Sequence, residues 1–545
     1  MKSPKNIAQL IADAGKRHGV RRIYGVPGGG SSLDIIQAFA ALDVPFVLAH
    51  TEAAAGMMAA AEAEASGCLS VVVTTQGPGT ASVANAIAQA SLDRAPVLLI
   101  TDGWTSRQAQ TDSHQVFDQR ALLSPLVKAH SRLEGDDVEA GIERLIALAR
   151  TEPWGPVYIE LTGENARREL DARATICDTA APQQSANAAP RPDEIAAAKA
   201  LIESARRPVV IVGLETRLPE VAPKLRALVE RLDCPLFTTY KAKGVVPDDA
   251  VHSVGLFTGG ALERECVGSA DLIVLCGLDP VELIGRPWGY EAPVLDVGPV
   301  EHRPHYVAPR AAVRSPIASA LDALADAGRA PGWEPGEIAR HKERMRARLA
   351  YTGHGSGLTP EQVVTLAHAS AQNQNLDARV TVDAGAHMFS AMAFWRARRG
   401  SDVLISNGLA SMAFALPAGI AASLASPGRQ VIAFTGDGGL LMCIGELATA
   451  ARIGAKLCVV VFNDSTLSLI QIKQQGRGMT RDGVDWPRQD FAAIARGFGL
   501  QAWSASTPET YEAALARAWE AQGPVLIDVQ VDPSGYLAQS KALRG

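Results

Sequence analysis

One pattern constrains this chain more than any other: short, continuous runs of β-branched and aliphatic residues alternate with Ala-rich helical stretches. The runs VRRIYGV, PFVLA, LSVVVTT, APVLLIT and PVYIEL fall in the first third. PVVIVG, CPLFTT, ADLIVLCG and APVLDVG follow in the middle, and RVTVDAG, DVLISN, QVIAFTG, KLCVVVFND and PVLIDVQ in the last third. Strands without polar alternation are buried on both faces, which a protein achieves by covering a parallel sheet with helices. Two stretches break the pattern: residues 171–192 are rich in Ala, Pro and Gln, and residues 327–358 mix Pro and Gly with the charged run ARHKERMRARLA. Both read as linkers, with the charged run of the second forming a short solvated helix. The expected fold is α/β, with three doubly wound parallel-sheet domains at residues 1–170, 193–327 and 358–545.

Composition agrees with large cores. Of 545 residues, 47% are hydrophobic and 20% charged, which excludes a disordered or collagenous chain. A net charge of −6 argues against nucleic acid or an anionic membrane as partner. The seven cysteines, at 68, 177, 234, 266, 276, 443 and 458, contain no CxxC pair and read as reduced thiols of a cytoplasmic protein. The N-terminus reads as an amphipathic helix with Ile7, Leu10, Ile11 and Ala14 on one face, not as a signal peptide. No charge appears between Asp402 and Arg429, but Ser406, Asn407, Ser411 and Pro417 interrupt the stretch, so a buried helix is expected there rather than a membrane span.

The first and last blocks also resemble each other. In each, an Ala-rich helix precedes a buried strand and a glycine turn: Gln76-Gly77-Pro78-Gly79 in one, Gly436-Asp437-Gly438-Gly439 in the other. Thr75 and Thr435 share one offset, as do Gly79 and Gly439, which suggests two copies of one fold facing a shared site.

The second turn has the chemistry to hold a diphosphate. Glycines after a strand let backbone N–H groups approach a phosphate, and an Asp among them calls for a bridging cation, economically Mg²⁺. Asn463-Asp464 ends the next buried strand, and adjacent parallel strands bring their carboxyl ends to one crevice. Without that second element, an Asp in such a turn is as readily an N-cap.

Gly-Asp-Gly followed at this distance by Asn-Asp resembles the thiamine-diphosphate (ThDP) motif. The resemblance spans nearly the whole chain and includes YGVPGGG, HTEAAAGMMAAAEAEASG, QGPGTASVANAIAQA and NGLASMAFALPAGIAA. It points to the acetolactate synthase and 2-oxo acid decarboxylase superfamily, with pyrimidine-binding, central Rossmann-like and diphosphate-binding domains. On this resemblance Asp437 matches the magnesium aspartate, Asp464 stands where the family has a metal-binding Asn, and Thr466 offers a carbonyl. Asp for Asn is a departure that leaves Asn463 as an alternative ligand. Gly385, Ala386 and His387 match the segment wrapping the diphosphate, together with Gly436, Gly438, Gly439 and Leu467, and Leu467–Ile470 would form the side-chain sieve. Ala410 matches the carbonyl near the cofactor's 4′-amino group. Met412 matches the residue that wedges the cofactor into a V, although as a residue alone it reads as core packing.

Glu52, alone, reads as a partner for a helix N-terminus. The resemblance places it opposite N1′ of the aminopyrimidine, where a shared proton favours the imino tautomer that deprotonates C2. Because Glu52 and the diphosphate turn lie in different domains, the family's arrangement implies a homodimer or homotetramer. Gly29, in the bare loop Pro27–Gly30, leaves room above C2 for an acceptor. Gln115 matches a synthase glutamine, and His114, in place of an aromatic residue, reads either as a proton donor or as a surface histidine.

The implied reaction is carboligation or decarboxylation of a 2-oxo acid through a C2-carbanion/enamine intermediate, acetolactate synthase-like. Alternatives are a non-coupling benzoylformate-type decarboxylase and a ThDP-dependent C–C lyase. The central block lacks both the segments of FAD-carrying synthases and a GxGxxG turn after PVVIVG, so FAD is not expected. That also opposes a nucleotide-dependent oxidoreductase. Lys241, Lys243 and Arg286 read as solvated loop charges before phosphate ligands.

Overall fold

The structure, a computed structural model, describes residues 4–135, 137–170, 189–283, 288–302, 307–328 and 332–545. Three six-stranded sheets account for nearly all strands, and every neighbouring pair within them is parallel. The first contains β1 (Ile23–Val26), β2 (Phe46–Leu48), β3 (Ser70–Thr74), β4 (Val97–Asp102), β5 (His130–Ser131) and β6 (Val157–Leu161). The central sheet contains β7 (Pro208–Val212), β8 (Leu236–Thr238), β9 (Ser253–Leu256), β10 (Leu272–Cys276), β11 (Val294–Gly298) and β12 (Ala311–Arg314). The third contains β13 (Ala378–Val382), β14 (Val403–Ile405), β15 (Gln430–Gly436), β16 (Leu457–Asn463), β17 (Gln501–Ala505) and β18 (Val525–Gln530).

Strand order identifies the repeat. The first sheet runs β2-β1-β3-β4-β6-β5 and the third β14-β13-β15-β16-β18-β17, the same permutation of their own strands. Thr75 directly follows β3 and Thr435 is the penultimate residue of β15, so the shared offset falls at the ends of corresponding strands. The central sheet runs β9-β8-β7-β10-β11-β12, the order of a dinucleotide-binding fold, whose chain reverses direction across the sheet between β7 and β10. Central strands such as β3, β10 and β16 are buried along their whole length, because helices cover both faces of each sheet.

The chain forms two compact units. One is the first block with Gly408–Pro427 and Cys443–Ala455; the other is the remainder of the described chain. In the first unit the ends of the block meet where Lys5–Asn6 pairs antiparallel with Glu169–Leu170. The helix Glu52–Ser66 packs against Pro78–Leu92 and Ala415–Ala425, and Ala54 through Ala63 are all buried. An Ala-rich helix with so small a hydrophobic asymmetry is suited to being enclosed by other helices.

Several local expectations are corrected. β5, β9, β12 and β17 carry no long apolar run and are not evident in the sequence. The charged run lies in the helix Glu337–Leu349, which is amphipathic rather than solvated: Ile338, His341, Met345 and Leu349 are buried. Past β15 the chain forms two short helices, Asp437–Cys443 and Glu446–Ile453. Lys241 and Lys243 are buried, not solvated: Lys241 Nζ donates to the Ile405 carbonyl (2.9 Å), and Lys243 Nζ pairs with Asp248 (2.6 Å). Arg286 and Cys177 lie outside the described residues; the other six cysteines are free thiols, five of them buried. The uncharged stretch forms the 11-residue helix Ala415–Ala425, and among the described residues no helix is long and apolar enough to cross a membrane.

Candidate active site

In the second unit, β15 and β16 pair Gly436 with Phe462, so the residues just past their carboxyl ends lie side by side. Asp437 is 2% exposed and its carboxylate accepts from the backbone N–H groups of Gly438 (2.7 Å) and Ser465 (2.6 Å). The Asp464 carboxylate accepts from the Thr466 N–H (3.2 Å) and the Ser468 hydroxyl (2.6 Å). Burial, and then the neighbouring Asp464, pushes the Asp437 carboxyl up to about 7. Burial pushes Asp464 up to about 6. Asn463 faces elsewhere: its side-chain amide donates to Asp528 (2.9 Å) and to the Gln489 carbonyl (3.0 Å). Of the two residues open as ligands in the sequence, Asp464 accompanies Asp437.

The loop after β16 is strapped in place. Ser465 adopts φ +61°, a strained conformation of the kind found at functional sites. The Thr466 hydroxyl donates to Asp485 (2.6 Å) and accepts from Arg481 (2.8 Å), and the Leu467 N–H donates to the Val484 carbonyl (2.8 Å). Leu467 and the Trp486 ring each lie 3.0 Å from where a β-carbon on Gly438 would stand, which places both over the glycine turn. Gly439 has no alternative residue: a β-carbon there would meet Asp383 Oδ2 at 2.3 Å. Asp383 is buried and accepts from the Thr435 hydroxyl (2.8 Å), so the turn is fastened to the adjacent strand β13.

Gly385, Ala386 and His387 follow β13, which neighbours β15. His387 opens the helix His387–Phe394, and its ring stacks near Phe462 with centroids 5.1 Å apart. The ring is buried, Nε2 has no hydrogen-bond partner, and burial holds its pKa down at about 4. The imidazole is therefore neutral. The donor set of this crevice suits a hard divalent cation: a buried and a half-buried carboxylate act on one another, and the backbone amides that fix their orientation cannot neutralise them.

The other expected residues lie in the first unit. Thr51 caps the helix Glu52–Ser66, accepting from the Ala54 N–H (3.1 Å), so Glu52 occupies the first turn. The Glu52 carboxylate sits beside Gly79, where a β-carbon would stand 3.3 Å from its Oε1. Among the described residues the Glu52 carboxylate makes no hydrogen bond or ion pair, which leaves it available. Gly29 faces open space, with nothing within 4 Å of its missing β-carbon. His114 and Gln115 are exposed; Gln115 adopts φ +63° and packs on Gly77 of the Gln76–Gly79 turn. Ala410 also has a positive φ, +54°, and Met412 is half-buried in a loop tied down by Gly408 N–H to Asp93 (2.9 Å) and Ser411 hydroxyl to Asn85 (3.1 Å).

Two anchoring residues were not singled out in the sequence. Gln119 is buried; its carbonyl accepts from the Gly77 N–H (2.8 Å) and Thr80 hydroxyl (2.6 Å), while its amide donates to the Asp102 carbonyl (3.1 Å). It locks the Gln76–Gly79 turn to the end of β4. Glu446 accepts from the N–H groups of His50 (2.9 Å) and Thr51 (3.1 Å), fixing the segment that presents Glu52. A buried polar residue at the end of a local motif was the only signal for either.

Residues 5–122 match the N-terminal TPP binding domain of thiamine pyrophosphate enzymes, 195–324 their central domain, and 383–529 their C-terminal TPP binding domain. The chain is 27% identical to acetolactate synthase of Bacillus subtilis, over 97% of this chain and 93% of that protein. It is also 27% identical to a probable 2-ketoarginine decarboxylase of Pseudomonas aeruginosa, over 96% and 93% respectively. The fold matches the thiamine diphosphate-dependent 4-hydroxybenzoylformate decarboxylase of Rhodococcus jostii with a TM-score of 0.82, at 22% identity, covering 97% of this chain and 99% of that one. Matched along three successive domains and sharing their sheet architecture, this chain belongs to the thiamine pyrophosphate enzymes, in the acetolactate synthase and 2-oxo acid decarboxylase group.

Proposed function

We propose that this protein is an Mg²⁺- and ThDP-dependent carboligase that acts on a 2-oxo acid in the manner of an acetolactate synthase. The observation that carries the reading is the pairing of buried Asp437 with half-buried Asp464 at the ends of β15 and β16. When bound, ThDP supplies a nucleophilic carbon and an electron sink for decarboxylation. The two carboxylates, with the Thr466 carbonyl, would hold Mg²⁺ against the diphosphate, and the turn Gly436–Gly439 with Gly385–His387 would enclose that group. Leu467 would border it. Ala410 and Met412 would orient the ring system.

Glu52 would hold a proton at the ring nitrogen N1′. Its carboxylate stands at a helix start with no partner recorded among the described residues, which suits that task. In the proposed assembly it serves the diphosphate site of a second copy, making a homodimer or homotetramer the working unit. The open face of Gly29 supports an acceptor above the reacting carbon, which Gln115 and His114 would border in the proposed arrangement. The buried free thiols support a cytoplasmic setting.

Incubation with pyruvate and a panel of 2-oxo acids, followed by product analysis, tests the reading. A coupled 2-hydroxy-2-oxo or acyloin product is expected; aldehyde alone at high acceptor concentration contradicts carboligation and leaves a simple decarboxylase, the activity named for the Pseudomonas relative. Glu52→Gln is expected to bind ThDP normally and to lose about 10²–10⁴-fold in kcat, the usual worth of a positioned acid–base group.

A further inference from the structure

A second cleft lies in the second unit, where β9, the helix Glu337–Leu349 and the segment after the helix His387–Phe394 meet. Two adjoining cavities of about 260 and about 490 Å³ share Trp395 and Arg396 in their walls. Cations dominate these walls. The Lys342 ammonium donates to the carbonyls of Asp248 (2.8 Å) and Ala250 (3.2 Å). Arg346, Arg396 and Arg398 line the cavities without an ion pair recorded among the described residues. The nearby acids are committed elsewhere. Asp248 takes Lys243 (2.6 Å) and the Ala397 N–H (2.8 Å), while Asp402 takes Arg429 (2.7 Å) and the N–H groups of Arg398 and Arg399. Asp377 also pairs with Arg399 and Arg429. Asp249 is the remaining carboxylate in the wall.

The cations act on one another. Burial holds the Lys342 ammonium below its usual pKa; Asp248 and Asp249 draw it back up, and Arg396 and Arg346 push it down by less. Burial, then Arg396, Arg398 and Lys243, holds His368 down at about 4, so this wall histidine is neutral and stacks edge-on to Trp395 at 4.8 Å. Converging cations repel unless an anion joins them, and a chain of net charge −6 has no general excess of cations to explain the cluster. The smaller cavity adds an apolar wall from Leu256, Met345 and Phe394.

We propose that this cleft binds a small phosphorylated molecule with an apolar or planar body, of the nucleoside di- or triphosphate class. Its phosphates meet Arg396, Arg398 and Arg346, and its body lies against Leu256, Met345 and Phe394. Guanidinium groups favour phosphate through paired N–H donors. The site is separate from Asp437 and does not rest on the ThDP reading.

The test is calorimetric titration of the full chain with ATP, ADP and tripolyphosphate in the presence of a chelator, on wild type and on three variants. Arg396→Ala/Arg398→Ala is expected to weaken nucleotide binding at least about tenfold without changing Tm, because both side chains are exposed. Met345→Ala is expected to weaken the nucleotides but not tripolyphosphate. Asp437→Ala is expected to bind nucleotide like wild type. Three results overturn the proposal: no binding of any probe; nucleotide binding that survives the double Arg substitution; or nucleotide binding lost in Asp437→Ala, which would assign it to the glycine turn. Tripolyphosphate binding as tightly as ATP, with Met345→Ala silent, overturns the assignment of an organic body.

Discussion

Two crevices sit at the carboxyl ends of parallel strands in the second unit, and they are closed by different chemistry. At the third sheet, Asp437 and Asp464 bring two carboxylates together at the ends of neighbouring strands. In the central sheet, at the reversal between β7 and β10 where a dinucleotide fold would place its ligand, Glu282 from the same chain fills the position. Its carboxylate accepts from the Leu214 N–H (2.8 Å), the Asp279 N–H (3.2 Å) and the Thr239 hydroxyl (2.5 Å). Beside it His302 pairs with Glu215 (2.8 Å). One crevice assembles two carboxyl groups that suit a cation; the other has supplied its own carboxyl, which burial pushes up to about 8, to the backbone donors. Strand order alone would have favoured a ligand in the central sheet, and the closing residues reverse that inference.

The largest expected effect that separates the crevices comes from Asp437→Ala. Losing a direct ligand is expected to weaken Mg²⁺-dependent ThDP binding by about 100-fold or more while circular dichroism stays native. If affinity holds, the third crevice is not the diphosphate site. Glu282→Ala is expected to destabilise the fold by about 2–4 kcal/mol in urea titration, because three buried donors lose their acceptor, and to leave ThDP affinity unchanged. A neutral outcome would mean that the central crevice is not self-satisfied.

The smallest effect is a pH dependence. Carboxyl groups raised to about 7 and about 6 keep protons that the unfolded chain releases near 3.8. The metal-free fold therefore loses stability as pH rises from about 4 to about 7. Mg²⁺ must displace those protons, so its affinity is expected to rise over the same range, by about tenfold per pH unit for each proton displaced. Thermal shifts with Mg²⁺ and ThDP should be larger at pH 8 than at pH 6. Equal shifts would show that the two carboxylates do not share the ion.

The buried strands and the glycine turn were legible because their signals are local. SVVVTT and KLCVVVFND can be little else than central strands, and Gly-Asp-Gly-Gly with Asn-Asp marks two adjacent strand ends. Ser253–Leu256 and Ala311–Arg314 were not, because short edge strands need only one buried face and tolerate polar or small residues. The anchors were hidden for another reason. Gln119 and Glu446 act through backbone groups far away in sequence, and Lys241 and Lys243 are buried only because Ile405 and Asp248 receive them. Trp486 likewise reaches Gly438 only through the strap on Thr466 and Leu467. Partners set by tertiary structure leave no periodic trace.

Titration of the purified chain with ThDP, in Mg²⁺ and again in excess chelator, tests the central claim most directly. The Asp437–Asp464 crevice predicts saturable binding that depends on the metal and disappears with the chelator. Binding indifferent to the metal, or no binding with magnesium in excess, would contradict it.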